Sequence, residues 1–138
     1  MRPPVPEDAP GLARLMLRAY RGTVDDAGEG EEDALAEVAR LLDGAYGRFL
    51  AESSRVVVRD GAPISAALVT LQGDRPLLAF SMTDPDHKRT GLARACLEAA
   101  LDALHSAGWR EVMLVVTSTN TPAIALYESM GFTVEVRR

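Results

Sequence analysis

The sequence predicts an α/β (α+β) domain built on a mixed, mostly antiparallel central sheet with helices on both faces, in the order α-α-β-β-β-α-β-α-β. Two amphipathic helical stripes open the chain. β-branched runs joined by tight turns follow them, and helices then alternate with strands to the end. With 138 residues, one domain over residues 1–138 is expected, with no internal repeat and no second core.

Leu12, Leu15, Met16 and Ala19 fall at helical spacing, so a first helix is expected from Glu7 to Tyr20, with Glu7 and Asp8 at its positive end. Residues 21–30 mix three glycines with acids and lack apolar periodicity, which predicts an acidic loop. A second helix is expected from Glu31 to about Leu50 on the stripe Leu35, Val38, Leu42, Tyr46 and Phe49, with Gly44 and Gly47 weakening its second half. Arg55–Arg59 and Pro63–Leu71 flank Asp60-Gly61 as an antiparallel hairpin. After the turn Gly73-Asp74-Arg75-Pro76, Leu77–Thr83 reads as a third strand.

Beyond Asp84-Pro85 a helix from Gly91 to Ala107, a strand from Glu111 to Thr117, a helix from Pro122 to Met130 and a strand from Phe132 to Val136 form crossover units, hence parallel pairing. Arg94, Glu98, Asp102 and His105 mark the solvent side of the third helix. Thr121-Pro122 is read as N-cap and N1 of the fourth, which Gly131 ends.

Composition excludes several classes. Hydrophobic residues make up 47% of the chain, enough for a core without staples, while 20 acidic against 15 basic residues leave a net charge of -5. That sign repels nucleic acid and anionic membranes, so neither is an expected partner. Cys96 is the only cysteine and there are two histidines, which argues against a disulfide or a metal site. Met1 to Asp8 carry no apolar leader and no run reaches membrane-spanning length. A cytoplasmic protein is expected.

Asp84 to Ala93, between a strand and a helix N-terminus, is the segment where chemistry concentrates. Backbone N–H groups without intrahelical partners converge at such a junction, and the helix dipole adds positive potential, so a pyrophosphate can dock on main chain. Gly91 and Ala93 keep the backbone approachable, and Lys88 and Arg89 add charge.

Lys88, Arg89, Thr90, Gly91, Leu92 and Ala93 resemble the acyl-CoA loop of the GNAT superfamily: glutamine or arginine, two free positions, glycine, one free position, then glycine or alanine. Lys88 departs from the first place, keeping charge without a planar multi-donor head. Asn120, Ala123, Tyr127, Gly131 and Phe132 resemble a second pattern of that superfamily around its last core helix. The likeness spans essentially the whole chain.

The resemblance implies a GNAT-like fold and an acetyl-CoA-dependent N-acetyltransferase that acts on a small-molecule or peptide amine without a metal. Main-chain groups of Met82 and Thr83 would pair with the pantetheine arm where the third strand parts from the one ending at Thr117. Amides from Arg89 through Thr90, Gly91 and Leu92 to Ala93 would hold the pyrophosphate, with Lys88 beside them. Asn120 would bind the cofactor, and Tyr127 would be the general acid to the departing thiolate. No carboxylate lies in Leu77–Thr83, where many relatives place a glutamate, which leaves Asp84 or a water chain as base.

Other readings stand beside these. Tyr127 shares a helical face with Ala123, Leu126 and Met130, so a core tyrosine is the structural alternative. Cys96 reads as a small buried hydrophobe, His87 and His105 as surface residues, and the acids between Asp25 and Asp33 as a solvated loop. A catalytically silent acyl-CoA-binding or regulatory domain is the alternative function. Relatives open with a full strand and close with a hairpin, whereas this sequence opens with a proline-rich edge fragment and stops at Arg138. A homodimer covering that sheet edge is the expectation.

Overall fold

A computed structural model describes residues 1–20, 28, 30–115 and 121–132. A 3-10 turn at Pro6–Asp8 leads into α1, Ala9–Tyr20, so the α-helix itself starts two residues after the expected Glu7. The buried face of α1 is Leu12, Ala13, Leu15, Met16 and Ala19, as the spacing requires.

Helix α2, Glu31–Leu42, is eight residues shorter than expected. Asp43 caps it, Gly44 turns the chain, and the tail of the supposed stripe leaves the helix: Phe49 joins Arg48 in a short strand, β1 (Arg48–Phe49), on the sheet. The buried face of α2 is also rotated, with Ala34, Val38 and Leu41 inside and Leu35 43% exposed. A smaller residue, Ala34, lets α2 lie close to α1, which the apolar count alone did not reveal.

The meander matches expectation. β2, Arg55–Arg59, and β3, Ala62–Gln72, pair antiparallel around Asp60-Gly61, and β3 pairs antiparallel with β4, Arg75–Thr83. The turn before β4 is tighter than expected, because Arg75 and Pro76 already pair with Gln72 and Leu71. Arg2 bridges to Val56, the edge fragment that a proline-rich start allows.

Helix α3, Leu92–Ser106, is followed by β5, Met113–Leu114, which lies parallel to β4 through Leu77↔Met113 and Leu78↔Leu114. The strand expected over 111–117 therefore has two strand residues among those described, and residues 116 and 117 lie outside them. Helix α4 is Thr121–Ser129, with Thr121 inside it rather than at its N-cap. Phe132 is not in a strand, and the rest of the last expected strand lies outside the described residues.

β3 is the spine. Its alternate side chains feed two cores on opposite faces of the sheet, Ala66 and Leu68 with α1, α2, Val56 and Met82, and Ala67 and Val69 with α3, Leu78 and Tyr127. β4 carries a bulge: Leu68 faces Phe80 while Val69 faces Leu78, so Ala79 is the extra residue. The bulge keeps Phe80 and Met82 on the α1/α2 face while Leu78 serves the other.

Candidate functional site

Among the described residues β4 pairs with β5 at Leu77 and Leu78. From Ala79 to Thr83 it retains β3 on one side and finds no strand partner on the other among the described residues. The bulge at Ala79 coincides with this parting, and increased local twist at a bulge is a physical reason for two strands to diverge. At the end of the freed edge, the Ser65 hydroxyl donates to the Met82 carbonyl at 3.2 Å and shares a hydrogen bond with the Thr83 hydroxyl at 2.9 Å.

The next residues are pinned. The Asp84 N–H donates to the Ile64 carbonyl at 2.8 Å, and a 3-10 turn, Pro85–His87, follows. The Asp84 carboxylate accepts the Asp86 N–H at 2.9 Å and the Arg18 Nε–H of α1 at 2.8 Å, although Asp84 is only 8% exposed. The Asp86 N–H bond first, and Arg18 after it, hold this carboxyl below the usual carboxylate range against the opposing cost of burial. A carboxylate so committed is a poor proton acceptor, which weakens its candidacy as general base. His87 is half-buried, its Nδ1 3.9 Å from Asp84, rather than a plain surface residue.

Amide use then changes abruptly. The N–H groups of His87 and Lys88 donate to Asp84 and Pro85, but those of residues 89–93 donate to no described residue, and the ladder resumes when the Ala95 N–H meets the Gly91 carbonyl at 2.9 Å. Arg89 (φ 65°) and Gly91 (φ 81°) both adopt the left-handed region, and the Thr90 hydroxyl donates to the His87 carbonyl. This is a concave run of donors at the N-terminus of the 15-residue α3, where the dipole favours an anion. A Cβ at Gly91 would meet no atom within 4 Å, so the space in front of the loop is open to a ligand. Lys88 and Arg89 are exposed beside it. The residues present fit a diphosphate.

Tyr127 lies one helix away, 8% exposed, in the core shared by α3 and the sheet. Its place is fixed by a Schellman motif: the Phe132 N–H donates to the Tyr127 carbonyl at 3.1 Å, the Gly131 N–H to the Glu128 carbonyl at 3.0 Å, and Gly131 takes φ 96°. The accompanying apolar contact is the Phe132 ring, edge-on to Tyr127 at 5.9 Å between centroids. The glycine-phenylalanine pair thus has a structural task, to orient the tyrosine. Asn120 lies outside the described residues. Cys96 is buried, and burial pushes its thiol up from the usual value, in keeping with a packing role. Sequence reasoning overlooked Arg18, because its partner Asp84 lies 66 residues away in the chain.

Among the described residues no group of His, Cys, Asp or Glu is placed to hold a metal, and no helix is long and apolar enough to cross a membrane.

A family model described as the acetyltransferase (GNAT) family matches residues 11–132. The [ribosomal protein bS18]-alanine N-acetyltransferase of Escherichia coli (strain K12) is 38% identical over 76 residues, 55% of this chain and 51% of that protein. The crystal structure of the Escherichia coli enzyme superposes with a TM-score of 0.74 at 26% identity, covering 96% of this chain and 76% of that one. A mycothiol acetyltransferase of Thermobispora bispora is 52% identical over 50 residues, 36% of this chain and 17% of that protein. The aligned segments therefore span 51% and 17% of the length of these two curated relatives. The PaiA N-acetyltransferase of Thermoplasma acidophilum, solved in complex with coenzyme A, shares the fold with a TM-score of 0.74 at 18% identity over 99% of this chain and 91% of that one.

Three outcomes are expected from this geometry. Gly91→Glu, which sets a like charge before the open amides, lowers coenzyme A affinity by calorimetry at least about tenfold. Gly91→Ala costs about 1 kcal/mol of stability through its left-handed backbone while binding falls far less. Because the Asp84 carboxyl is depressed in the folded protein, its stabilisation is present at neutral pH and is lost as pH falls through the acid range to its folded value. Asp84→Asn therefore lowers the melting temperature by a few degrees at pH 7, and the two melting curves converge in acid.

Proposed function

The chain belongs to the acetyltransferase (GNAT) family, and from that premise we propose that it transfers an acetyl group from acetyl-CoA to an amine acceptor. The observation that carries this reading is the run of amides from Arg89 to Ala93, at the N-terminus of α3, that meet no acceptor among the described residues, next to the β4 edge that meets no strand among them. Each part has a physical task. The amides of Arg89, Thr90, Gly91, Leu92 and Ala93 bind the pyrophosphate, with Lys88 supplying diffuse positive charge. Main-chain groups around Met82 and Thr83 hold the pantetheine arm as an added strand would be held. The family resemblance adds Asn120 as a further cofactor contact.

A neutral amine attacks the thioester carbonyl directly, so no covalent bond to the protein is needed. A backbone N–H of the β4 edge stabilises the developing oxyanion, and Tyr127 gives its phenolic proton to the departing thiolate. Tyr127 suits this task because the edge-on Phe132 ring and the helix stop at Gly131 hold its side chain in one place. With Asp84 tied to Arg18, water is the more suitable acceptor for the amine's proton.

The alternative of a silent acyl-CoA-binding domain rests on Lys88 and on that missing free carboxylate. One assay separates them. Mixed with acetyl-CoA and a broad amine panel, the protein should release free thiol, and Tyr127→Phe should slow the release at least about tenfold while acetyl-CoA affinity is retained. Turnover unchanged in Tyr127→Phe would reduce the tyrosine to packing. Binding without release for any amine would leave the silent domain.

A further inference from the structure

A cavity of about 540 Å³ opens on the α1/α2 side of the sheet, at the C-terminal end of β4. Its wall includes Arg14, Leu17 and Arg18 from α1, Glu31 at the start of α2, and Asp84 and Asp86 from the turn after β4. The volume falls within the range of sites for small molecules or peptide termini. Its position is complementary to the cofactor loop. Residues 89–93 lead into α3 on one face of the sheet, this cavity lies on the other, and both meet where β4 ends. An acceptor seated here reaches the thioester from the side opposite the diphosphate.

The charges in the wall are not equivalent. Arg18 and Asp84 neutralise each other at 2.8 Å. Arg14, Glu31 and Asp86 are exposed, and none has an ion-pair or hydrogen-bonded side-chain partner among the described residues. Arg14 sits one turn before Arg18 on the same face of α1, about 6 Å along the axis. The Asp84 carboxylate is taken up by Arg18 rather than by Arg14. Among the described residues the cavity is therefore dipolar, with an unpaired guanidinium on the α1 wall and unpaired carboxylates on the rim formed by α2 and the turn.

Resting on the acetyl-transfer reading, we infer that the cavity is the acceptor site and that Arg14 selects acceptors carrying a carboxylate close to the reactive amine. Glu31 and Asp86 draw the ammonium form toward the opening, and Arg14 engages the carboxylate in the forked geometry that guanidinium allows. A polyamine would leave Arg14 facing a like charge in a partly enclosed site. An amine without a carboxylate would leave it unmatched.

The test uses coenzyme A-loaded protein and short amidated peptides that differ only in the second residue, glutamate, glutamine or lysine, with free glutamate and spermidine as further arms. Calorimetry is expected to rank the glutamate peptide about tenfold tighter than the glutamine peptide, with lysine and spermidine weaker still. Free glutamate binding as tightly as the peptide would assign the site to amino acids rather than peptide termini, with the same pairing. Arg14→Glu is expected to reverse the order of the glutamate and lysine peptides, and Arg14→Gln, which keeps a polar head but removes the charge, to level it. The inference is overturned if no arm binds, if wild type ranks lysine or spermidine first, or if the order survives in Arg14→Glu or Arg14→Gln. If the expected order appears but acetyl-CoA yields no acetylated peptide, acetyl transfer fails while the charge selection stands.

Discussion

Among the described residues β4 keeps β3 beside it along its whole length and pairs with β5 at two residues, and the bulged Ala79 stands directly after that second pairing. A strand in a sheet interior normally spends its hydrogen-bonding groups on both neighbours, because unmet backbone groups are costly once water is excluded. Here one edge of Ala79–Thr83 meets no strand among the described residues, at the point where the chain turns into the amide-rich loop. The two features are consecutive in sequence, so a single ligand with an amide-bearing arm and a diphosphate matches them in order. The tyrosine, the cavity and the ion pair all take their meaning from that opening.

The opening has to be held rigid from both faces. On one face Arg18 reaches from the last turn of α1 to Asp84, tying a helix to the first residue after β4. On the other, the Schellman motif at the end of α4 fixes Tyr127 in the core that α3 shares with β3. Neither device is large in energy; a charged hydrogen bond and a helix stop each contribute on the order of 1–2 kcal/mol. Their value lies in placement, since reacting groups misplaced by an ångström lose much of their effect.

Much of this was legible in the sequence, for identifiable reasons. The Asp60-Gly61 hairpin, the crossover helices and the loop from Lys88 to Ala93 each combine a local signal with the right neighbours, so local and global preferences agree. The second half of α2 misled because Tyr46 and Phe49 continue a helical spacing, and only pairing with β3 shows that Phe49 belongs to the sheet. Leu35 misled for a related reason: its size suggested the core, yet the close approach of α1 favours Ala34. The Arg18–Asp84 pair joins residues 66 apart in sequence, a separation at which no spacing rule operates. The glycine-phenylalanine pair was legible as a pattern, but its purpose, a helix stop that braces the tyrosine, required the backbone bonds.

The central claim is that the amides from Arg89 to Ala93 take the diphosphate of coenzyme A. Nitrogen-15 amide spectra recorded during titration with coenzyme A and, separately, with pantetheine address it most directly. Resonances of residues 89–93 are predicted to move with coenzyme A and to stay in place with pantetheine, which lacks the diphosphate. Amide signals in this run that respond to neither compound, while others in the protein shift with coenzyme A, would contradict the account.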